Sequence, residues 1–157
     1  MAGFTPKNPD FAARVRDSFS RQGAMAHIGA ELTRIEPGLV DIAVNYKPEL
    51  GQQHGYFHGG IVGMIADSAG GYAAFSLMPE DASVLTVEYK INLLAPSDGT
   101  RLVAKGRVTK PGRTLTVSHV DVYVEREGRE HLCATLLQTL MTMTGKSDGL
   151  ASDSKKA

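Results

Sequence analysis

Asp67 lies about two turns into Gly60 to Phe75, a run that is apolar on nearly every face. A helix hydrophobic all round is expected to be buried. An ionised carboxylate withdrawn from water costs roughly several kcal/mol unless it is paired or given a task. Such an acid can attack an electrophilic carbonyl or take a proton from water; a structural acid bonded to backbone or tyrosine is the alternative. Immediately ahead runs the polar, glycine-rich stretch Gln52-Gln53-His54-Gly55-Tyr56-Phe57-His58-Gly59-Gly60. A helix N-terminus leaves about four backbone N–H groups without intrahelical partners, and these receive developing negative charge. Gly59 is therefore expected to aim a donor at a carbonyl oxygen, typically worth about 10²–10³ in rate, beside the plainer reading of a glycine needed for the turn. Gln52 offers an amide, as a second donor or to hold a water, or is simply a solvated loop residue.

Spacing adds a constraint. Gly59 and Asp67 are eight residues apart on one helix, roughly 12 Å at about 1.5 Å per residue. Both groups cannot reach one carbonyl from a single helix. Two antiparallel copies related by a twofold axis can bring Gly59 of one to Asp67 of the other, so a catalytic reading demands a homodimer with composite sites.

The flanking segments must position these residues. Asn8-Pro9-Asp10, then Phe11, Val15 and Phe19, reads as an N-terminal helix ending near Gly23. Residues 26–36 and 39–46 read as a hairpin turning at Glu36-Pro37-Gly38, and Pro79 stops the long helix. Thereafter the chain is strand: residues 85–93 alternate, 101–110 follow, and 115–126 with 131–144 form a last hairpin. Gly63, Ala66, Gly70, Gly71, Ala73 and Ala74 let strands approach the helix backbone. Strands segregated from helices indicate an α+β antiparallel sheet, here about six strands curled around one buried helix. The expected division is an N-terminal helix over 1–24, the main domain over 25–144, and a polar, disordered tail over 145–157.

Balanced charge, 17 basic against 17 acidic residues, suggests neither nucleic acid nor membrane as a partner. The single Cys133 rules out an internal disulfide framework and fits a reducing compartment. With no secretory pattern in residues 1–11 and no plausible span at 60–78, the cytoplasm is expected. The five His and one Cys show no metal-ligand spacing, and no P-loop, dinucleotide fingerprint or Gly-x-Ser-x-Gly elbow occurs, so no cofactor is expected.

The His58-Gly59-Gly60 loop, the acid nine residues after the His, the segment from Thr86 to Pro96, and Lys110-Pro111-Gly112-Arg113-Thr114 together resemble the hotdog-fold acyl-CoA thioesterases. The nearest group is the phenylacetate-degradation, PaaI-type thioesterases. Pairing Gln52 with Asp67 departs from the Asn-with-Asp pattern of many PaaI-type members and from the Gln-with-Glu pattern of related hydroxybenzoyl-CoA thioesterases. The resemblance implies hydrolysis of acyl-CoA to free CoA and a carboxylic acid, with Asp67 as nucleophile or general base, Gly59 as oxyanion donor, and commonly a dimer of dimers. It implies that His58 shapes the loop and touches the thioester region, and that Thr86 positions water near Asp67, although strict alternation would put Thr86 with Glu88 and Lys90. Arg113 and Thr114, helped by Lys90, Lys110 or Arg107, are the implied coenzyme A phosphate contacts. Gly60 and the apolar residues Phe57, Ile61, Met64, Tyr72 and Phe75 are expected to line an aromatic or medium-chain acyl pocket. The rival readings are a non-catalytic acyl-CoA-binding hotdog domain and a hotdog enoyl-CoA hydratase or dehydratase; the Asp…His pair and His-Phe-Pro loop of the latter are missing.

Overall fold

In a computed structural model that describes residues 3–146 and 148, three α-helices accompany six strands. The helices are α1 (Phe11–Ser20), α2 (Gly23–Ile28) and α3 (Gly59–Phe75). The strands are β1 (Ala30–Glu36), β2 (Leu39–Asn45), β3 (Ala82–Leu93), β4 (Arg101–Lys110), β5 (Leu115–Arg126) and β6 (Arg129–Thr144). All pair antiparallel in one sheet, in the order β1-β2-β4-β5-β6-β3, with α3 against its inner face. This is the hotdog arrangement.

The inner face is built by alternation: Val40, Ile42 and Val44 of β2, Leu102 and Ala104 of β4, and Val120, Val122 and Val124 of β5 are all buried. Gly106 of β4 brings sheet and helix into contact. A Cβ there would sit 2.5 Å from the Ala69 carbonyl and 2.8 Å from the Gly70 nitrogen. Only a glycine admits that approach.

Arg14 holds α1 across the C-terminal end of α3. Its guanidinium lies 4.0 Å above the Phe75 ring and donates to the carbonyls of Pro79 (2.8 Å) and Ala82. The last carbonyls of α3 are satisfied locally, those of Tyr72, Ala74 and Phe75 by the N–H groups of Ser76, Leu77 and Met78 and that of Ala73 by the Ser76 hydroxyl.

Four expectations are corrected. The first strand begins at Ala30 rather than 26, because residues 23–28 form α2, closed by Gly29 in the left-handed region at φ +73°. Likewise α1 ends at Ser20, short of Gly23. β6 begins at Arg129 rather than 131, because Glu127 and Gly128, both at positive φ, make the turn from two residues. The long helix is also not covered on every side: Gly60 and Met64 are exposed, and Asp67 and Ser68 half-buried. These positions share one helix face.

β3 departs from its sequence pattern. Its pairing with β6 breaks register between Thr86 and Glu88, where Val87 is an extra residue. Before the bulge, Val84 and Thr86 point inward; beyond it, Ile91 and Leu93 do. Leu85 and Val87 are thrown outward, more than half exposed. Among the described residues no helix is long and apolar enough to cross a membrane. Apart from Gly145, Lys146 and Asp148, the tail lies outside the described residues.

Candidate active site

Each end of the exposed face of α3 borders a cavity, and the two share no lining residue. The first, about 410 Å³, is lined by Gln52, Phe57, Gly59, Leu93, Pro96 and Cys133, among others. The second, about 310 Å³, includes Asp67, Ser68, Tyr72, Thr86, Ser18 and Gln22.

The first cavity is organised by a small loop. Gln52 N–H donates to Tyr56 (2.8 Å), Gly55 N–H to Gln52 (2.9 Å), and His58 N–H to Leu50 (2.9 Å). Phe57, buried edge-to-face against Tyr46, donates its N–H to Ser97 (3.1 Å) and accepts from Ser97 Oγ (3.0 Å). The loop thus delivers His58 as the N-cap of α3: its Nδ1 accepts from the Gly60 N–H at 2.8 Å. Ile61 and Val62 donate to the His58 carbonyl. Of the first-turn donors only the Gly59 N–H has no partner among the described residues, and it borders the cavity. Gln52 accepts the His54 N–H through Oε1, which leaves its Nε2 as the free end of the amide.

The second cavity holds the acid. Asp67 Oδ1 accepts from Thr86 Oγ1 at 2.8 Å, while Oδ2 has no partner among the described residues. Burial pushes the Asp67 carboxyl up, and the Thr86 hydroxyl bond pulls partly back. The bulge at Val87 resolves the conflict over Thr86: it changes the parity of β3 and turns this residue toward α3.

Other expected residues fall elsewhere. Phe75 is buried in the core beneath Arg14. Gly60, Ile61, Met64, Lys90, Arg113 and Thr114 line neither cavity, and Arg107 is paired with Asp121 at 3.0 Å. The expected single apolar pocket is therefore corrected to two cavities, with Phe57 in one and Tyr72 in the other. Sequence reasoning missed the contribution of α1 and its junction with α2: Ser18, whose hydroxyl meets the Tyr72 hydroxyl at 3.2 Å, and Gln22. The only signal for Ser18 was its place one residue from Phe19 on the inward stripe of α1. No group of three metal-ligating side chains occurs among the described residues.

A thioesterase-superfamily sequence profile matches residues 54–131. A thioesterase family protein from Silicibacter pomeroyi has a crystal structure 50% identical, with a TM-score of 0.85 over 86% of this chain and 99% of that one. A Saccharolobus solfataricus protein that carries an esterase name is 31% identical over 127 residues, 81% of this chain and 82% of its own. The chain belongs to the thioesterase superfamily. The fold of this thioesterase is also similar to that of the E. coli PaaI protein from the phenylacetic acid degradation operon (TM-score 0.79, 16% identity, 88% and 96% coverage). Hydrolysis of a thioester is thus the chemistry to be accounted for.

Proposed function

We propose that this thioesterase hydrolyses aromatic or medium-chain acyl-CoA at a site shared by two antiparallel copies of α3. The observation that carries this is the separation of an unpartnered Gly59 N–H from an unpartnered Asp67 Oδ2 into different cavities on one helix face. Each cavity holds half of the required machinery. A twofold axis across the stripe of exposed Gly60 and Met64 and half-buried Ser68 sets the Gly59 cavity of one protomer against the Asp67 cavity of its partner.

The acyl-CoA carbonyl then sits between them. Ionised Asp67 either attacks the carbonyl carbon or removes a proton from a water that does so. The carbonyl oxygen takes up negative charge and is received by the Gly59 N–H, with Gln52 Nε2 as second donor. Collapse expels the coenzyme A thiolate; by the water route the thiolate recovers the proton from Asp67, and by direct attack the acyl group stays on Asp67 as a mixed anhydride until water hydrolyses it, releasing the carboxylic acid, restoring the carboxylate and supplying the thiolate's proton. Thr86 holds the carboxylate in place, and His58, as the N-cap, keeps the Gly60 N–H occupied. For the coenzyme A phosphates, Arg113 and Thr114 in the β4–β5 turn, with Lys90, remain the proposed contacts.

Support for a coenzyme A substrate comes from a Listeria monocytogenes relative, a 1,4-dihydroxy-2-naphthoyl-CoA hydrolase, 25% identical over 105 residues. Support for the dimer comes from the free edge of β3, where Leu85, Val87, Tyr89 and Leu93 are 57%, 52%, 47% and 61% exposed. Leu115 and Leu137, 49% and 51% exposed on the outer sheet face, suit a further pairing of dimers. The buried thiol of Cys133 is pushed up to about 11 by burial, which keeps it protonated and unreactive.

Thiol release from acetyl-, hexanoyl-, phenylacetyl-, hydroxybenzoyl- and palmitoyl-CoA, wild type beside Asp67→Asn, tests the reading. Turnover in the wild type and its collapse in the variant are expected. Saturable binding without thiol release would favour an acyl-CoA-binding domain instead.

A further inference from the structure

The inner face of the sheet carries two fully buried polar side chains opposite the middle of α3, Gln138 of β6 and Ser118 of β5. Their surroundings are Val120, Leu136 and Leu140, all buried. A buried amide in such a place costs stability unless it is bonded, and a leucine or methionine would fill the space without that cost. Gln138 makes one bond: its Nε2 donates to the backbone carbonyl of Asp67 at 3.3 Å. Because a carbonyl only accepts, the nitrogen end of the amide must point there. Gln138 Oε1 and Ser118 Oγ are left without partners among the described residues, so the amide is not retained for complete satisfaction of its own atoms.

Residue 67 is consequently held at two points. Thr86 of β3 grips the carboxylate at 2.8 Å, and Gln138 of the adjacent β6 grips the main chain of the same residue. Gly70 makes room for this: a Cβ there would lie 2.8 Å from Gln138 Oε1 and 2.7 Å from Ser118 Oγ. Gly106, on the far side of Ala69 and Gly70, sets the depth of the same turn.

We infer that Gln138 is a positioning residue, which fixes the turn of α3 bearing Asp67 so that the carboxylate meets Thr86 with its second oxygen free. Gln138 borders neither cavity and touches no substrate; it acts through residue 67. The inference rests on the proposed role of Asp67.

The test compares Gln138→Met, which keeps the length and removes the donor, with Thr86→Val, their double variant, Ser118→Ala and Asp67→Asn. In Gln138→Met kcat should fall by about 10²-fold, the scale of a displacement near 1 Å, with KM unchanged. The acid limb of its pH profile should move upward, as in Thr86→Val, because both loosen the hydroxyl bond that holds the carboxyl down. Tyr72 and Asp148, the other titratable groups on that cavity, are unchanged throughout. The double variant should lose no more than the worse single one, since both bonds serve one placement. Ser118→Ala, in the same layer without a bond to residue 67, should keep wild-type kcat. Should Gln138→Met not fold, Gln138→Asn keeps a buried amide one methylene too short to reach. Wild-type kcat and acid limb in a less stable Gln138 variant would overturn the inference, as would additive losses or an equal loss in Ser118→Ala. Full activity in Asp67→Asn would instead overturn the proposed function itself.

Discussion

Asp67 and Gly59 do opposite electrostatic work, and each makes its own prediction. Burial raises the Asp67 carboxyl above its ordinary 3.8, so the folded state holds its proton more tightly than the unfolded chain. Stability from this group is then full at low pH and is lost as pH rises from the ordinary value through the raised one. Asp67→Asn should melt at a higher temperature than wild type at pH 7, with the gap closing near pH 3, while hydrolysis collapses. A thermal melt series across pH checks this, and an Asn variant that melts lower at pH 7 would contradict it. For Gly59 proline removes the N–H and sets a ring carbon where its hydrogen pointed. His58 has φ −63° and ψ 136°, the conformation a residue before proline adopts, and the first helical position tolerates proline. A Cβ there would meet the end of the exposed Leu93 side chain at 3.2 Å. Gly59→Pro should therefore fold and lose about 10²–10³ in kcat, measured by thiol release beside a circular dichroism spectrum.

Elements place these residues through close approach more than through bonds. Ala in place of Gly106 would press on main-chain atoms of Ala69 and Gly70, which cannot turn aside as a side chain can. Such overpacking costs about 1–3 kcal/mol, so Gly106→Ala should unfold at lower denaturant and lose activity, because the displaced turn carries Asp67. Both effects are read from one urea titration and one assay. How much of this was legible follows from the same physics. β4 and β5 run over the ranges that alternation and the flanking Pro-Gly and Gly turns mark, since one face of each is plainly apolar. Residues 26–28 of α2 read as strand because so short a helix carries no long periodic pattern, and only Gly29 marks its end. The bulge at Val87 had no local sign: Leu85, Val87, Tyr89, Ile91 and Leu93 alternate without interruption, and the slip exists only in pairing with β6. That slip decides where Thr86 points. The acid and the Gly-Gly loop were legible because each breaks a local pattern; Ser18, Gln22 and Gln138 were not, since only tertiary packing brings them to α3.

On the scale of the whole molecule, a site that uses both Gly59 and Asp67 requires a second copy of the chain. An α-helix places Gly59 and Asp67 roughly 12 Å apart, and their cavities have separate linings. The uncovered stripe of α3 and the apolar edge of β3 lie beside that separation. Light scattering should accordingly return at least a dimer, and a charged side chain at Leu93 should weaken it. Mixing inactive partners puts the shared site to the most direct test. Asp67→Asn and Gly59→Pro, each inactive alone, are refolded together and assayed for thiol release. With sites built from both copies, half of random dimers are mixed and one site in each is intact, so activity should return to about a quarter of wild type. A mixture no more active than the average of its two components would contradict the shared site and return both groups to a single chain.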